Sequence, residues 1–530
     1  MIKLKLLIPA IIGGILLALP WMGFSGVILL IAFLPLFYVE NQLSNNNPKG
    51  SSFIFFIYSF IAFVLWNSLS VWWICNASIV GALFAIVVNA TLMAVVFWLY
   101  HIVKQRKGNV FGFTFLIVLW ISFEFLHFKW DLSWPWLTLG NGFANDVQLI
   151  QWYEYSGVFG GSLWVLIVNI LIWRMLNQYI REPQKSTILQ PIIIVLVVVV
   201  PVAYSLFRYN CYIEEKDPVN VVVAQPNIDP YGDKFSGLSQ TAQLSRFLSV
   251  CDSVADSTTN FFVGPETALH EVWETDSRGD SQVQLIRDFQ KKYPKTAFVV
   301  GSITFREYTS DEGIKPFYRY NTDSSFIYGA FNSALFIDGD KPVEFYHKSN
   351  LVSGVEKMPF KKYLHFIDKF IIDLGGTTGT LGTQSEPTVF TKDQSDIGVP
   401  ICYESCYGEY LTGFVKKGAN LIFVITNDGW WKDTPGYKQH LSYSRLRAIE
   451  LRRSIARSAN TGISCLINQR GDILQKTGWW QQTSISGTIN RNNKQTFYSL
   501  YGDYIARFSV LILGLMSLYI LVGWVKQVKK

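Results

Sequence analysis

At 530 residues, with 50% hydrophobic, 16% aromatic and only 16% charged, the chain has room for more than one domain. Its charge falls well below the roughly 25% usual in a soluble globular protein. The formal net charge of +7 would hint at nucleic acid in a soluble chain, but many lysines and arginines lie between apolar runs, where topology accounts for them, so a nucleic-acid partner is excluded. Six cysteines without paired zinc-type spacing form no disulfide or metal framework and have to be read one by one.

Residues 6–39 carry no charge and read as two short spans broken near Pro20 and Gly23. Further apolar runs cover 51–74, 78–101, 111–128, 156–178, 187–208 and 508–525. Each is near the ~20 residues that cross a bilayer, which predicts eight transmembrane helices, seven within 1–208 and one within 506–530. A cleaved signal peptide is the alternative for the first run; it lacks a clear small-residue cleavage site and another apolar run follows at once, so retention is expected. With the N-terminus cytoplasmic, Lys3, Lys5, Lys49, Lys104, Arg106, Lys107, Arg174, Arg181, Lys185, Lys526, Lys529 and Lys530 face inward, while the short outer loops hold little beyond Lys129. Trp72, Trp73, Trp134 and Trp136 are then expected near the outer interface, and the polar insert 209–505 outside the cytoplasm.

That insert reads as a soluble α/β domain. Strand-like runs occur at 219–228, 260–266, 296–305, 333–338, 397–403 and 420–428, several apolar on both faces, as in a sheet covered by helices or a second sheet. The stretch "QHLSYSRLRAIELRRSIARSA" has helical spacing at Leu441, Leu446, Ile449 and Ile455.

Three segments put a reactive side chain just past an apolar run: Glu266 closes "FFVGPET", Lys348 follows "PVEFYHK", and Cys402 follows "IGVPI". A carboxylate, an amine and a thiol so placed can serve as base, oxyanion partner and nucleophile. Singly, each has a blander reading: a solvated glutamate, a surface lysine, a buried thiol. Cys406, four residues beyond Cys402, reads as a packing thiol, and an exported domain leaves room for a disulfide among Cys211, Cys251 and Cys465. The histidines show no ligand spacing such as HExxH, and no phosphate-type glycine loop follows a strand, so neither metal nor cofactor is expected.

The segments "GPETAL", "YHKSNLVSGVEKMPF", "VPICYESCYGEY", and "TNDGWW" followed by "QHLSYSRLRAIELRRSIARSANTGIS" resemble, in order and spacing, the apolipoprotein N-acyltransferases, the membrane members of the nitrilase-like carbon–nitrogen hydrolase superfamily. "WPWLTLGNGF" and "YSGVFGGSLW" resemble the same family's membrane half. The resemblance implies an eight-helix membrane bundle carrying an extracytoplasmic α/β domain, a nitrilase-like αββα sandwich. It further implies a triad of Glu266, Lys348 and Cys402, with Glu356, Tyr403 and Glu404 in support and Trp430 by the lipid pocket. Phe235 in "QPNIDPYGDKFSG" takes, with a one-residue shift, the place of a family tryptophan, and "NLVSG" replaces the common "HLVPF" beside Glu356. The implied reaction moves an acyl chain from a phospholipid, with phosphatidylethanolamine expected, through a Cys402 thioester to the α-amino group of a diacylglyceryl-modified cysteine on an apolipoprotein. The implied setting is a monomer in a bacterial inner membrane with its catalytic domain periplasmic.

Residues 351–376, rich in aromatics and lysines, suit an interfacial lid with Lys361 and Lys362 near headgroups, or else an ordinary surface helix. Two functional alternatives stand beside the acyltransferase. One is a membrane-tethered amidase or nitrilase using the same triad with water as acceptor. The other is a transporter or channel, which the near absence of charge within the spans beyond Glu124 argues against.

Overall fold

A computed structural model describes residues 4–46, 51–185, 187–309, 317–320, 326–357, 359–360 and 380–528. The chain divides into two compact units, Met1–Cys211 with Tyr501–Lys530, and Tyr212–Leu500.

In the first unit, eight spans among the described residues are long and apolar enough to cross a membrane: Leu4–Met22, Gly26–Asn45, Ser51–Asn76, Ile79–Lys107, Asn109–His127, Tyr153–Arg181, Leu189–Cys211 and Tyr504–Lys526. Their ends follow local chemistry. Ser78 caps the fourth by accepting the Gly81 N–H, and Lys104, Arg106 and Lys107 fill its last turn, where cations oppose the helix dipole. The interior is an aromatic cluster in which Phe33, Phe37, Phe63, Phe97 and Trp120 lie within about 6 Å of one another in a connected chain. Leu189–Cys211 and Tyr504–Lys526 bury only 6% and 11% of their apolar windows. Side chains such as Val195, Val199, Leu511 and Leu518 therefore need an apolar solvent, as a multi-pass membrane protein provides.

The spans hold more charge than their composition suggests. Glu40, His101 and Lys104 are all buried together: His101 Nδ1 lies 2.9 Å from Glu40 Oε1, and Lys104 pairs with the other carboxylate oxygen. Each sits at the end of an apolar run, so a window average hides it. Glu124 is held by its own neighbourhood through one carboxylate oxygen, Oε1, which accepts from Trp120 Nε1 and the Leu139 N–H, both at 2.9 Å. Of the four tryptophans expected at the interface, Trp73 and Trp136 are buried against each other, 5.1 Å between ring centres.

The second unit is built on two sheets. The first contains β1 (Pro218–Gln225), β2 (Phe261–Val263), β3 (Leu269–Trp273), β4 (Ala297–Tyr308), β5 (Tyr318–Tyr320), β6 (Ile327–Ile337) and β7 (Glu344–His347). The second contains β8 (Val389–Lys392), β9 (Ser395–Gly398), β10 (Leu421–Thr426), β11 (Ser454–Ala459), β12 (Cys465–Ile467) and β13 (Ile473–Lys476); the chain then returns to the first with β14 (Thr483–Asn490). The orders are β14-β1-β2-β4-β6-β5, with β3 beside β4 and β7 beside β6, and β13-β12-β11-β10-β9-β8.

Alternation explains the layering. On β1, Val221 and Val223 join the core shared with the second sheet, while Val222 and Ala224 face Leu244 and Phe247 of the helix Gln240–Asp252. Residues of both faces are apolar because both are covered, by a sheet on one side and helices on the other. The helices Gly408–Lys416 and Pro435–Leu451 cover the second sheet, giving the αββα order.

Two expectations are corrected. The helix expected to run through Ile455 ends at Leu451, where Arg452 turns left-handed (φ 49°, ψ 48°), and Ser454–Ala459 becomes β11, parallel to β10 with Ile455 beside Ile422. Six residues past Ile449 is about 240° around a helix axis, so Ile455 never shared the apolar face. The strand expected over 397–403 stops at Gly398; only Ile401 bridges on to Ile425, because Pro400 offers no N–H to the ladder. The segment read as a lid, with Lys361, Lys362, Gly375 and Gly376, lies outside the described residues over 361–379.

Candidate active site

Cys402 stands at the tip of the turn that follows β9 and opens the short helix Cys402–Cys406. Its φ of +51° is one that L side chains rarely adopt, at a typical cost of about 1–3 kcal/mol. His440 Nε2 lies 3.1 Å from the Cys402 carbonyl oxygen and 3.0 Å from Ser405 Oγ, and the Ser405 hydroxyl donates to that carbonyl at 2.7 Å. Behind His440, Nδ1 meets Asp428 at 2.9 Å and Arg457 donates to the other Asp428 oxygen at 2.7 Å. Burial works against the Asp428 charge, but Arg457 and His440 outweigh it and hold the carboxyl at about 2.

Glu266 follows β2, one residue before Thr267 at φ +50°. The close approach of β4 requires glycine at 301: a Cβ there would lie 2.6 Å from Glu266 Cα and 2.5 Å from the Thr267 nitrogen. Lys348, following β7, is 1% exposed, and its Nζ donates to Glu266 Oε1 at 3.1 Å and to Glu356 Oε1 at 2.9 Å. Asn332 on β6 ties the same two carboxylates together, donating at 2.7 and 2.9 Å, and its carbonyl accepts the Lys348 N–H at 2.8 Å. The Asn427 N–H, beyond β10, donates to Glu266 Oε2 at 3.2 Å.

The electrostatics follow from this packing. Burial opposes the Lys348 charge, yet Glu266 and Glu356 keep its ammonium well above the ordinary range. Burial likewise opposes the Glu266 charge, but Lys348 and the Asn332 hydrogen bond leave its carboxyl below the usual carboxylate range. Burial first, and then the Glu266 charge, push the Cys402 thiol well above its ordinary value, so at rest it is protonated.

Glu404 takes a place of its own. Its Oε1 accepts the N–H groups of Ser349 (2.6 Å) and Asn350 (3.1 Å), and its Oε2 the N–H of Ile401 (2.8 Å), with the Tyr346 hydroxyl at 2.8 Å from both. It thus straps the lysine loop to the cysteine turn through backbone, whereas Glu356 touches the lysine itself. Burial pushes the Glu404 carboxyl up to about 7 against those donors. Tyr403 is buried with its ring 5.4 Å from Tyr407.

Trp430 sits half-buried on the turn Asp428–Trp431; its carbonyl accepts from the Tyr231 hydroxyl at 2.8 Å and its ring meets Tyr231 edge-on at 5.4 Å. Beside this turn opens a cavity of about 390 Å³ lined by Asp229, Tyr231, Lys432, Asp433, Trp479 and Trp480. Phe235 lies on the turn Asp233–Gly237, its side chain outside the described residues.

All six cysteines are free, so Cys211, Cys251 and Cys465 form no disulfide. Cys406 is buried, its thiol pushed up to about 12 by burial. Among the described residues no group of three or more His, Cys, Asp and Glu side chains is arranged to hold a metal.

Asn332, His440, Asp428, Arg457 and Lys234 were not singled out from sequence. Asn332 was detectable as an asparagine within the apolar run "YGAFNSALFI", and Lys234 as the residue before Phe235; the His440 network joins positions too far apart for spacing to link.

Residues 221–497 match the carbon–nitrogen hydrolase family, and residues 13–171 match the apolipoprotein N-acyltransferase N-terminal domain. The chain belongs to the carbon–nitrogen hydrolase family, and to the apolipoprotein N-acyltransferases within it. Relatives named apolipoprotein N-acyltransferase come from Chlorobaculum tepidum, 27% identical over 88% of this chain and 87% of that one, and from Geobacter metallireducens, 26% identical over 94% and 92%. Among solved structures, a member of branch 10 of the nitrilase superfamily from Saccharomyces cerevisiae aligns with 54% of this chain and 93% of its own, at a TM-score of 0.37 and 15% identity. This family membership makes the chain a membrane-embedded acyltransferase carrying a carbon–nitrogen hydrolase domain.

Proposed function

We propose that Cys402 carries an acyl group, taken from a phospholipid such as phosphatidylethanolamine, to the α-amino group of a diacylglyceryl-modified cysteine at the N-terminus of an apolipoprotein. The observation that supports this reading is the buried cluster of Lys348 with Glu266 and Glu356, whose charges act on a strained, protonated Cys402.

In the first step the Cys402 thiol gives its proton to Glu266 as the sulfur attacks the ester carbonyl. Because the thiol is held protonated, transfer accompanies attack. The Lys348 ammonium stabilises the tetrahedral oxyanion, a contribution of about 3 kcal/mol for one well-placed donor. The oxyanion collapses, the carbon–oxygen bond breaks, and Glu266 returns its proton to the departing alkoxide, leaving a thioester and a lysophospholipid. In the second step the neutral α-amine attacks the thioester, Glu266 accepts a proton from nitrogen, and the carbon–sulfur bond breaks to leave an amide and, after reprotonation, the Cys402 thiol. Glu356 and Asn332 hold Lys348 and Glu266 in register, and Glu404 sets the distance between the lysine loop and the cysteine turn. Trp430, with Phe235, borders the acyl site in this reading. The enzyme acts as a monomer in a bacterial inner membrane, its catalytic unit on the periplasmic side; the lysine and arginine asymmetry of the loops supports that orientation.

The test uses the full chain in detergent with phosphatidylethanolamine and a synthetic diacylglyceryl-cysteinyl peptide. Expected are a peptide heavier by one fatty acyl group and an equal amount of lysophospholipid. Hydrolysis of small amides with no lipid consumed would replace this reading with that of a tethered amidase.

A further inference from the structure

The active site contains a second buried lysine that the mechanism above leaves unused. Lys234 is 4% exposed, on the turn Asp233–Gly237. Its backbone is held on both sides: the N–H donates to the Asp229 carbonyl at 2.9 Å, and the carbonyl accepts Gln243 Nε2 at 2.8 Å. Its Nζ donates to Thr267 Oγ1, and Thr267 adjoins Glu266 in the chain with its own backbone in the left-handed region. A lysine ammonium is costly to bury, and it is here carried to the residue beside the general base.

Charge bookkeeping gives this placement a purpose. Lys348 alone faces two carboxylates, Glu266 and Glu356. With Lys234 charged the four groups sum to zero while Cys402 is a thiol; without it the cluster carries one uncompensated negative charge, which opposes both an ionised Glu266 and the negative charge that attack creates.

We propose that Lys234 is a positioning residue that, anchored through Thr267, supplies the second positive charge keeping Glu266 ionised and ready to take the Cys402 proton. The proposal rests on the reading of Cys402 as nucleophile and Glu266 as base. Around this pair the titratable and charged groups are Lys348 and Glu356 on the far side of Glu266, Cys402 itself with Asp428 beyond it, and His270, which Gln243 links back to the lysine turn at 3.0 Å. Two further observations agree: Lys234 is among the charges that lower the Glu266 carboxyl, and burial brings Lys234 itself down to about 8, still charged through the range in which Glu266 titrates.

The test is the pH dependence of Cys402 alkylation by iodoacetamide, followed at that peptide by mass in the full-length protein, for wild type, Lys234→Met, Lys234→Arg and Thr267→Val. This readout needs no lipid, so it is independent of which acyl group Cys402 accepts. Below neutrality the rate follows the ionised fraction of Glu266, and Glu266→Gln removes that limb. Lys234→Met is expected to move the acidic limb to higher pH by about one pH unit, the scale of losing one nearby opposite charge. Lys234→Arg is expected to superimpose on wild type, and Thr267→Val, which keeps the shape and removes that one hydrogen bond to the ammonium, to move the same way by less. The Thr267 variant carries the test if Lys234→Met melts too low to handle. An acidic limb unmoved in both Lys234→Met and Thr267→Val overturns the proposal. So does Lys234→Arg displaced as far as Lys234→Met, since packing rather than charge would then be at work.

Discussion

Lys348 is the side chain on which the site's charges converge, and its loss has two separable effects. In the proposed mechanism Lys348→Met removes the oxyanion donor, so acyl loading of Cys402 is expected to fall by about 100- to 1,000-fold. It also leaves Glu266 and Glu356 buried without their cation, which costs about 3–5 kcal/mol when one partner of a buried pair is removed; thermal melting in detergent measures that part. Glu404 has a different signature. Its carboxyl is raised to about 7 in the folded protein, so it contributes stability that is fully present below the ordinary carboxylate range and is lost as pH rises through about 7. Glu404→Gln is expected to flatten the fall in melting temperature between about pH 4.5 and 7. It also turns an amide N–H toward the donors on the strap, lowering the melting temperature throughout, by the equivalent of about 1–3 kcal/mol for an unsatisfied buried donor. A variant whose pH slope equals that of wild type would contradict this account of Glu404.

At the scale of elements, the site is assembled by the ends of β2, β7 and β9 and by the side of β6, and its precision depends on close backbone approach. Gly301→Ala is expected to push the Glu266 backbone away, lowering loading with little change in the unit's secondary structure, because its Cβ would meet backbone atoms that cannot swing aside. Circular dichroism alongside loading separates the two effects. Glu266, Lys348 and Cys402 stand out in the sequence because each closes a short apolar run, within segments that resemble those of a known family. What those runs could not convey was how they end: Pro400 cuts the strand before Cys402, and Arg452 reverses the helix that periodicity seemed to carry on to Ile455. The partners of the reactive groups were less legible still. Asn332 is a single polar letter inside a strand, and His440 reaches Cys402 across 38 residues, contacts that only the paired sheets create.

For the whole molecule, the apolar runs made the membrane unit plain, but not that Lys104, read as one of the inward-facing cations, is buried with Glu40 and His101. Glu40→Gln is expected to lower the melting temperature in detergent by the equivalent of about 3–5 kcal/mol, leaving a lysine and a histidine without their carboxylate. The orientation proposed from the loop charges puts the exposed Cys75 outside the cytoplasm. A membrane-impermeant maleimide should label it in intact spheroplasts of a strain carrying Cys211→Ser and Cys402→Ser, and labelling only after permeabilisation would reverse the topology.

In the proposed mechanism the Glu266, Lys348 and Cys402 cluster loads an acyl chain onto sulfur. The most direct measurement is the intact mass of the purified protein after incubation with phosphatidylethanolamine and no acceptor. Expected is an added mass of one fatty acyl group, absent in Cys402→Ala, released by hydroxylamine and discharged by a diacylglyceryl-cysteinyl peptide. A wild-type mass that no phospholipid changes, or an adduct that persists in Cys402→Ala, would contradict it.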